Sequence, residues 1–314
     1  MSWQCTSEPG PKYGAPLEPP AGTQMYMSHF RSFQYELDSV FPGLSEVSYP
    51  TGIVFFAAFN KTLSVKINGS RDLTQILPIL DRHPGMIPVL VSYLDKSLLI
   101  DIVQGQFDQQ IYEFGAFLKE LDRPIFLSLG FEVSNPRLEI DPGEYQDAYR
   151  YIVRKFLDNG VSNVSYVWYV NGMLPNYQRR DIADWYPGDA YVNWIGTSLY
   201  KLTEPHYANK EVFGGPNYDR LLEFAREKDL PVMIVESGTK PIKSFYEDEG
   251  EALWEFWYEP YLEFLDENPE IKAFAMMHED LRDPMIGQRW KEAMQKKNWT
   301  YGRASLWEEL RYQK

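Results

Sequence analysis

Two glutamates each close a short apolar run: Arg123-Pro-Ile-Phe-Leu-Ser-Leu-Gly-Phe-Glu132 and Leu230-Pro-Val-Met-Ile-Val-Glu236. An ionisable group at the end of a buried strand costs desolvation energy, and chains carry that cost mostly where the group does chemistry. One such glutamate is more often the partner of an arginine. Two on the same face can act as proton donor and nucleophile, the minimum equipment for breaking a glycosidic bond.

The elements that must position them read as alternating strands and helices. The β-like runs are Gln24–Ser28, Gly52–Ala58, Ile87–Tyr93, Pro124–Leu129, Val164–Val170, Trp194–Leu199, Pro231–Val235 and Ile271–Met277. Between them lie amphipathic stretches. In Asp108–Leu121, Ile111, Phe114, Leu118 and Leu121 follow helical spacing, and Glu144–Leu157 does the same before a stop at Asn159-Gly160. Tyr218–Lys228 and Ala252–Leu265 continue the pattern.

Eight such units without a break in composition predict an α/β fold, a single (β/α)8 TIM barrel spanning 21–314 as the catalytic domain. Residues 1–20, rich in Pro and Gly, are expected to form an extended N-terminal lead-in. The competing doubly wound sheet would want a glycine-rich fingerprint after a strand, and none is present. Glu132 and Glu236 stand 104 residues apart, the length of three β/α units of roughly 30 to 35 residues. That puts them on strands four and seven, whose carboxyl ends share one mouth. A carboxylate separation of about 5 to 5.5 Å would mean retention of configuration, and a wider one inversion.

The formal net charge of −14 argues against nucleic acid or an anionic membrane as partner, since phosphate binding wants a basic surface. Cys5 is the only cysteine, which rules out an intrachain disulfide and a thiolate metal cluster. No His-x-x-x-His or clustered aspartates occur, so no metal or other cofactor is expected. Met1-Ser2-Trp3-Gln4-Cys5 has no apolar signal core. The expectation is a soluble monomer, extracellular if a leader was trimmed and otherwise cytoplasmic. Aromatic residues reach 16%, and the core alone need not account for them. Sugar C–H faces stack on such rings, and helix-to-barrel packing is the other account.

Several motifs in order resemble glycoside hydrolase clan A, most closely family 26, over about Gly22 to Leu310. They are Gly105-Gln-Phe-Asp-Gln-Gln-Ile111, the run ending at Glu132, and Tyr149-Arg150-Tyr-Ile-Val with Asn163-Val-Ser-Tyr-Val-Trp168. Tyr186-Pro-Gly-Asp-Ala-Tyr-Val-Asn-Trp-Ile-Gly196, Tyr200 and Pro231-Val-Met-Ile-Val-Glu236-Ser237 complete the set. The resemblance implies a retaining endo-β-glycanase acting on β-mannan, mixed-linkage β-glucan or β-1,3-xylan, with a polysaccharide or oligosaccharide as its partner. Glu132 becomes the acid/base, Glu236 the nucleophile, and Tyr200 the hydroxyl that keeps the nucleophile ionised and oriented.

Two positions depart from the family pattern. Relatives carry Asn or His before the acid/base to read the sugar 2-hydroxyl, and here that residue is Phe131, which has no polar atom to offer. Ser128 stands near where relatives often have Arg. Further candidates for contact with substrate are Trp168, Asn171, His278 after strand eight and His29 after strand one. Trp168 could equally be core, and a lone histidine is as well explained by a structural hydrogen bond. The rival readings are a non-catalytic carbohydrate-binding barrel and an aldolase or lyase. The last would want a Schiff-base lysine, and among the run ends only Lys201 offers one.

Overall fold

The computed structural model describes residues 11–19, 22–28, 51–59, 66–67, 71–72, 77–172, 180–200, 216–238, 250–277 and 284–296. Each of the eight expected runs is a strand: β1 Gln24–Ser28, β2 Gly52–Phe59, β3 Ile87–Leu94 and β4 Ile125–Leu129. They continue as β5 Val164–Tyr169, β6 Trp194–Tyr200, β7 Val232–Gly238 and β8 Ile271–Met277. All eight pair in parallel with their neighbours in chain order, and β1 pairs with both β2 and β8, so the barrel is closed. A short antiparallel ribbon, Lys66–Ile67 and Arg71–Asp72, extends from β2.

Strands buried on both faces lose the alternation of apolar and polar residues, which is why these runs are almost continuously apolar. Parity still decides which way each side chain points. Val54, Val89, Val91, Phe126, Val167, Tyr169, Trp194, Met233 and Val235 form the interior cluster. Their neighbours Leu127, Leu129, Trp168, Val170, Ile195, Leu199 and Ile234 belong to the layer beneath the helices. Helix Pro142–Asp158 shows how that layer is made. Asp141 caps it through the N–H groups of Gly143 and Glu144, proline starts it, and Tyr145, Ala148, Tyr149, Ile152, Val153 and Phe156 form its buried face. No helix among the described residues is long and apolar enough to cross a membrane.

The part of the N-terminal lead-in that is described, 11–19, lies across the amino-terminal end of the barrel. The Pro16 carbonyl accepts from Trp194 Nε1 at 2.8 Å and from Ser165 Oγ at 3.1 Å. Leu17, buried and left-handed at φ 67°, joins the interior cluster. The buried Glu18 carboxylate accepts the backbone N–H groups of Tyr13 and Ala15. With that end floored, the opposite, carboxyl-terminal mouth is where β4 and β7 deliver their glutamates.

Candidate active site

Glu132 is placed by a tight turn after β4. Gly130 has φ 107° and Glu132 itself has φ 44°, a left-handed conformation that costs a non-glycine residue about 1 to 3 kcal/mol. Such a conformation persists only where the surroundings over-determine it. Here Gly130 N donates to Ser92 O (2.9 Å), Val133 N to Tyr169 O (3.1 Å) and Asn135 N to Glu132 O (2.7 Å). Ser128 Oγ, in place of the expected arginine region, donates to Gly130 O at 2.7 Å and braces the same turn. The Glu132 side chain is buried and both its oxygens are occupied: Ser198 Oγ donates to Oε1 at 2.5 Å and Asn135 Nδ2 to Oε2 at 3.1 Å. Tyr169 OH lies 2.6 Å behind Ser198 Oγ.

Glu236 is placed by a β-bulge. Along β6 and β7 the register runs Ile195 with Val232, Gly196 with Met233 and Thr197 with Ile234, then jumps to Ser198 with Glu236. Val235 is therefore an extra residue in β7. Strict alternation from Met233 and Val235 would turn Glu236 toward the helices and Ser237 into the barrel. The bulge reverses both, as such insertions at barrel rims do. Ser237 Oγ faces outward, 3.0 Å from Tyr261 OH on helix Glu259–Glu267 and 2.8 Å from Ala275 O. Glu236 lies beside Ser198 on the mouth side, half-buried.

Three tyrosines register both carboxylates. Tyr200 donates its hydroxyl to Glu236, and its phenol is pushed far above the usual tyrosine range by burial, by that hydrogen bond and charge, and by Glu132. Tyr169 is raised by burial and then by Glu132 and Glu236. Tyr93 is pushed up to about 12 by burial, then Glu236, then Glu132. All three remain protonated donors through the neutral range. Replacing Tyr200 with Phe deletes one donor to a charged acceptor, worth about 1.5 to 3 kcal/mol. Steady-state kinetics of Tyr200→Phe are expected to show kcat/KM down about 10- to 100-fold, with the thermal midpoint lowered by only a few degrees. A loss smaller than threefold would mean that the Tyr200 hydrogen bond to Glu236 does not matter to turnover.

The other residues singled out from sequence fall differently. Phe131 is half-buried, with its ring centroid 4.9 Å from Tyr93, 5.1 Å from Tyr169 and 5.9 Å from Phe56. Asn171 is buried next to the Glu132 loop, its N–H donating to Ser134 Oγ at 3.0 Å. Trp168 is corrected as a substrate-stacking candidate. It points outward, fully buried, with its ring against Tyr186 and Phe224, because parity gives the interior to Tyr169. His29 and His278 lie outside the described residues. Sequence reasoning missed Tyr93, Asn135, Tyr169 and Ser198. Tyr93 ends an expected strand just as Glu132's run does, and Ser198 shares the inward parity of Tyr200; both signals were present.

Comparison with known proteins agrees with this architecture. Residues 137–252 match the model of glycosyl hydrolase family 26. A β-1,3-xylanase from Alcaligenes sp is 25% identical over 211 residues, covering 61% of this chain and 42% of the relative. One from Vibrio sp is 24% identical over 237 residues, covering 69% and 49%. The chain thus spans less than half the length of these curated relatives. Among solved structures, a family 26 β-mannanase from Bacteroides ovatus superposes with a TM-score of 0.61 at 13% identity, covering 91% of this chain and 92% of that one. The catalytic domain of a family 26 endo-β-1,4-mannanase from Bacillus sp gives 0.61 at 17%, covering 93% and 90%.

The closed parallel barrel is the fold these solved structures share, and the family model and curated relatives put the chain among the glycoside hydrolases. Within that class the chain is similar to glycoside hydrolase family 26, through the family model over residues 137–252 and the two curated relatives.

Proposed function

We propose that the chain is a retaining endo-β-glycanase in which Glu236 is the nucleophile and Glu132 the acid/base. One observation carries the assignment of roles: Tyr200 donates to Glu236, whereas Glu132 is held by the separate donors Ser198 and Asn135. A phenol that stays protonated keeps its carboxylate partner ionised and aimed, which a nucleophile needs. In the first step Glu236 attacks the anomeric carbon, the bond to the leaving oxygen breaks, and Glu132 gives that oxygen its proton. In the second, Glu132 takes a proton from water as the water oxygen attacks the same carbon, and Glu236 leaves.

Among the candidate substrates β-1,3-xylan comes first, because the curated relatives carry that activity in their names. Phe131 supports a cleavage subsite shaped by packing: its ring is engaged by three aromatic neighbours and presents no polar atom to a 2-hydroxyl. β-Mannan and mixed-linkage β-glucan are the alternatives. Incubation with the three polysaccharides, product sizing and proton NMR of the first-formed anomer test the reading. The expected result is oligosaccharide products from β-1,3-xylan with the β anomer appearing first. Initial release of the α anomer would remove Glu236 as nucleophile, and binding without hydrolysis of any glycan would make the chain a carbohydrate-binding barrel.

A further inference from the structure

Resting on that reading, we propose that Ser198 is a positioning residue for the second half of the reaction, coupling the acid/base to a hydroxyl chain that begins at Tyr169. Ser198 stands in a singular place. Its backbone is registered beside Glu236 across the β6–β7 pairing, while its hydroxyl is bound to Oε1 of Glu132. One residue therefore ties the positions of both glutamates.

The direction of the chain follows from donor chemistry. Once Glu132 has given up its proton in the first step its carboxylate only accepts, and a phenol is a better donor than an aliphatic hydroxyl, so in the second step hydrogens run from Tyr169 to Ser198 to Glu132. Reversal would make Ser198 donate to the phenolic oxygen and leave the Tyr169 hydrogen needing another acceptor. Tyr169 OH is fully buried beside Phe131, and among the described residues its hydrogen bond is the one to Ser198. Two buried hydroxyls at the top of an interior filled by Val167, Val235 and Trp194 would be costly if they did not end on an acceptor. Asn135 meets Oε2 through its amide nitrogen, which can only donate. Both oxygens of Glu132 are thus served by donors, the arrangement that suits a carboxylate about to take a proton from water.

The consequence is a split between the two half-reactions. A β-1,3-xylo-oligosaccharide with a dinitrophenyl leaving group needs no proton in the first step but still needs Glu132 as base in the second. Ser198→Ala is expected to keep the burst of dinitrophenol and kcat/KM, while kcat falls about 10- to 100-fold and KM falls with it as the glycosyl-enzyme accumulates. Ser198→Thr, which restores a hydroxyl, should recover most of kcat. Tyr169→Phe keeps the ring against Phe131 and should show the same pattern at about 3- to 10-fold. It provides an independent test should Ser198→Ala fold poorly. A parallel fall of kcat and kcat/KM in both Ser198→Ala and Tyr169→Phe, or no recovery in Ser198→Thr, overturns the proposal and leaves Ser198 a packing residue. Absence of turnover in the unaltered protein is a different outcome, since it strikes at the hydrolase reading itself.

Discussion

Glu236→Ala is expected to abolish turnover of every glycan, natural or activated, by about 10^4-fold or more, because no covalent intermediate can form. Glu132→Ala should behave differently. With natural substrates the loss of general acid and base is worth on the order of 10^2- to 10^4-fold. With a dinitrophenyl leaving group the first step survives, and azide, which needs no base to attack, should restore turnover and yield a β-configured glycosyl azide. The asymmetry follows from the site: Glu236 receives Tyr200, while Glu132 sits in its own cradle of Ser198 and Asn135. Azide rescue in Glu236→Ala with an α-configured product, and none in Glu132→Ala, would exchange the two roles. Equal loss in both variants on all substrates, without rescue, would take both residues out of the chemistry.

The second large effect is on the backbone that carries Glu132. At Gly130, φ is 107°, a region open in practice to glycine alone. A Cβ there would come within 2.5 Å of Val133 Cγ1 and 3.0 Å of Tyr145 Cε2. Tyr145 cannot easily withdraw, because its ring is fully buried and its hydroxyl donates to Leu129 O at 2.8 Å. Gly130→Ala therefore combines backbone strain with overpacking, each costing about 1 to 3 kcal/mol. Chemical denaturation should show a loss of about 2 to 5 kcal/mol. Activity should fall further than the folded fraction does, since relief of the strain moves Glu132. A variant as stable and as active as the unaltered protein would show that the turn does not require this conformation.

The barrel was legible because each strand is a short, mostly apolar run and the helices between them keep a 3.6-residue stripe, as in Asp108–Glu120. The glutamates were legible because a charge at the end of such a run is conspicuous. What the runs conceal is direction. With both faces of a strand apolar, nothing in Val164–Tyr169 marks Tyr169 as inward and Trp168 as outward, so sequence leaves Trp168 open between the mouth and the core and passes over Tyr169. The bulge at Val235 is hidden for the same reason: Val232-Met-Ile-Val shows no alternation to interrupt. Phe131 reads in sequence as a missing polar contact, and its engagement with Phe56, Tyr93 and Tyr169 depends on β2, β3 and β5 arriving together. Ser198 acquires its meaning only across strands, from Glu132 located 66 residues away.

The floor of the barrel also sets a timetable. Pro16 is held by Ser165 and Trp194, partners 149 and 178 residues further along the chain. A ribosome adding about 5 to 20 residues per second makes Pro16 roughly 9 to 36 seconds before Trp194, 178 residues later. Strand β1 waits longer still, since its pairing with β8 joins Gln24 to Ala273. The segment around Pro16 and strand β1 thus find their places only after Trp194 and Ala273 have been made, and the barrel cannot be sealed at base or seam before then.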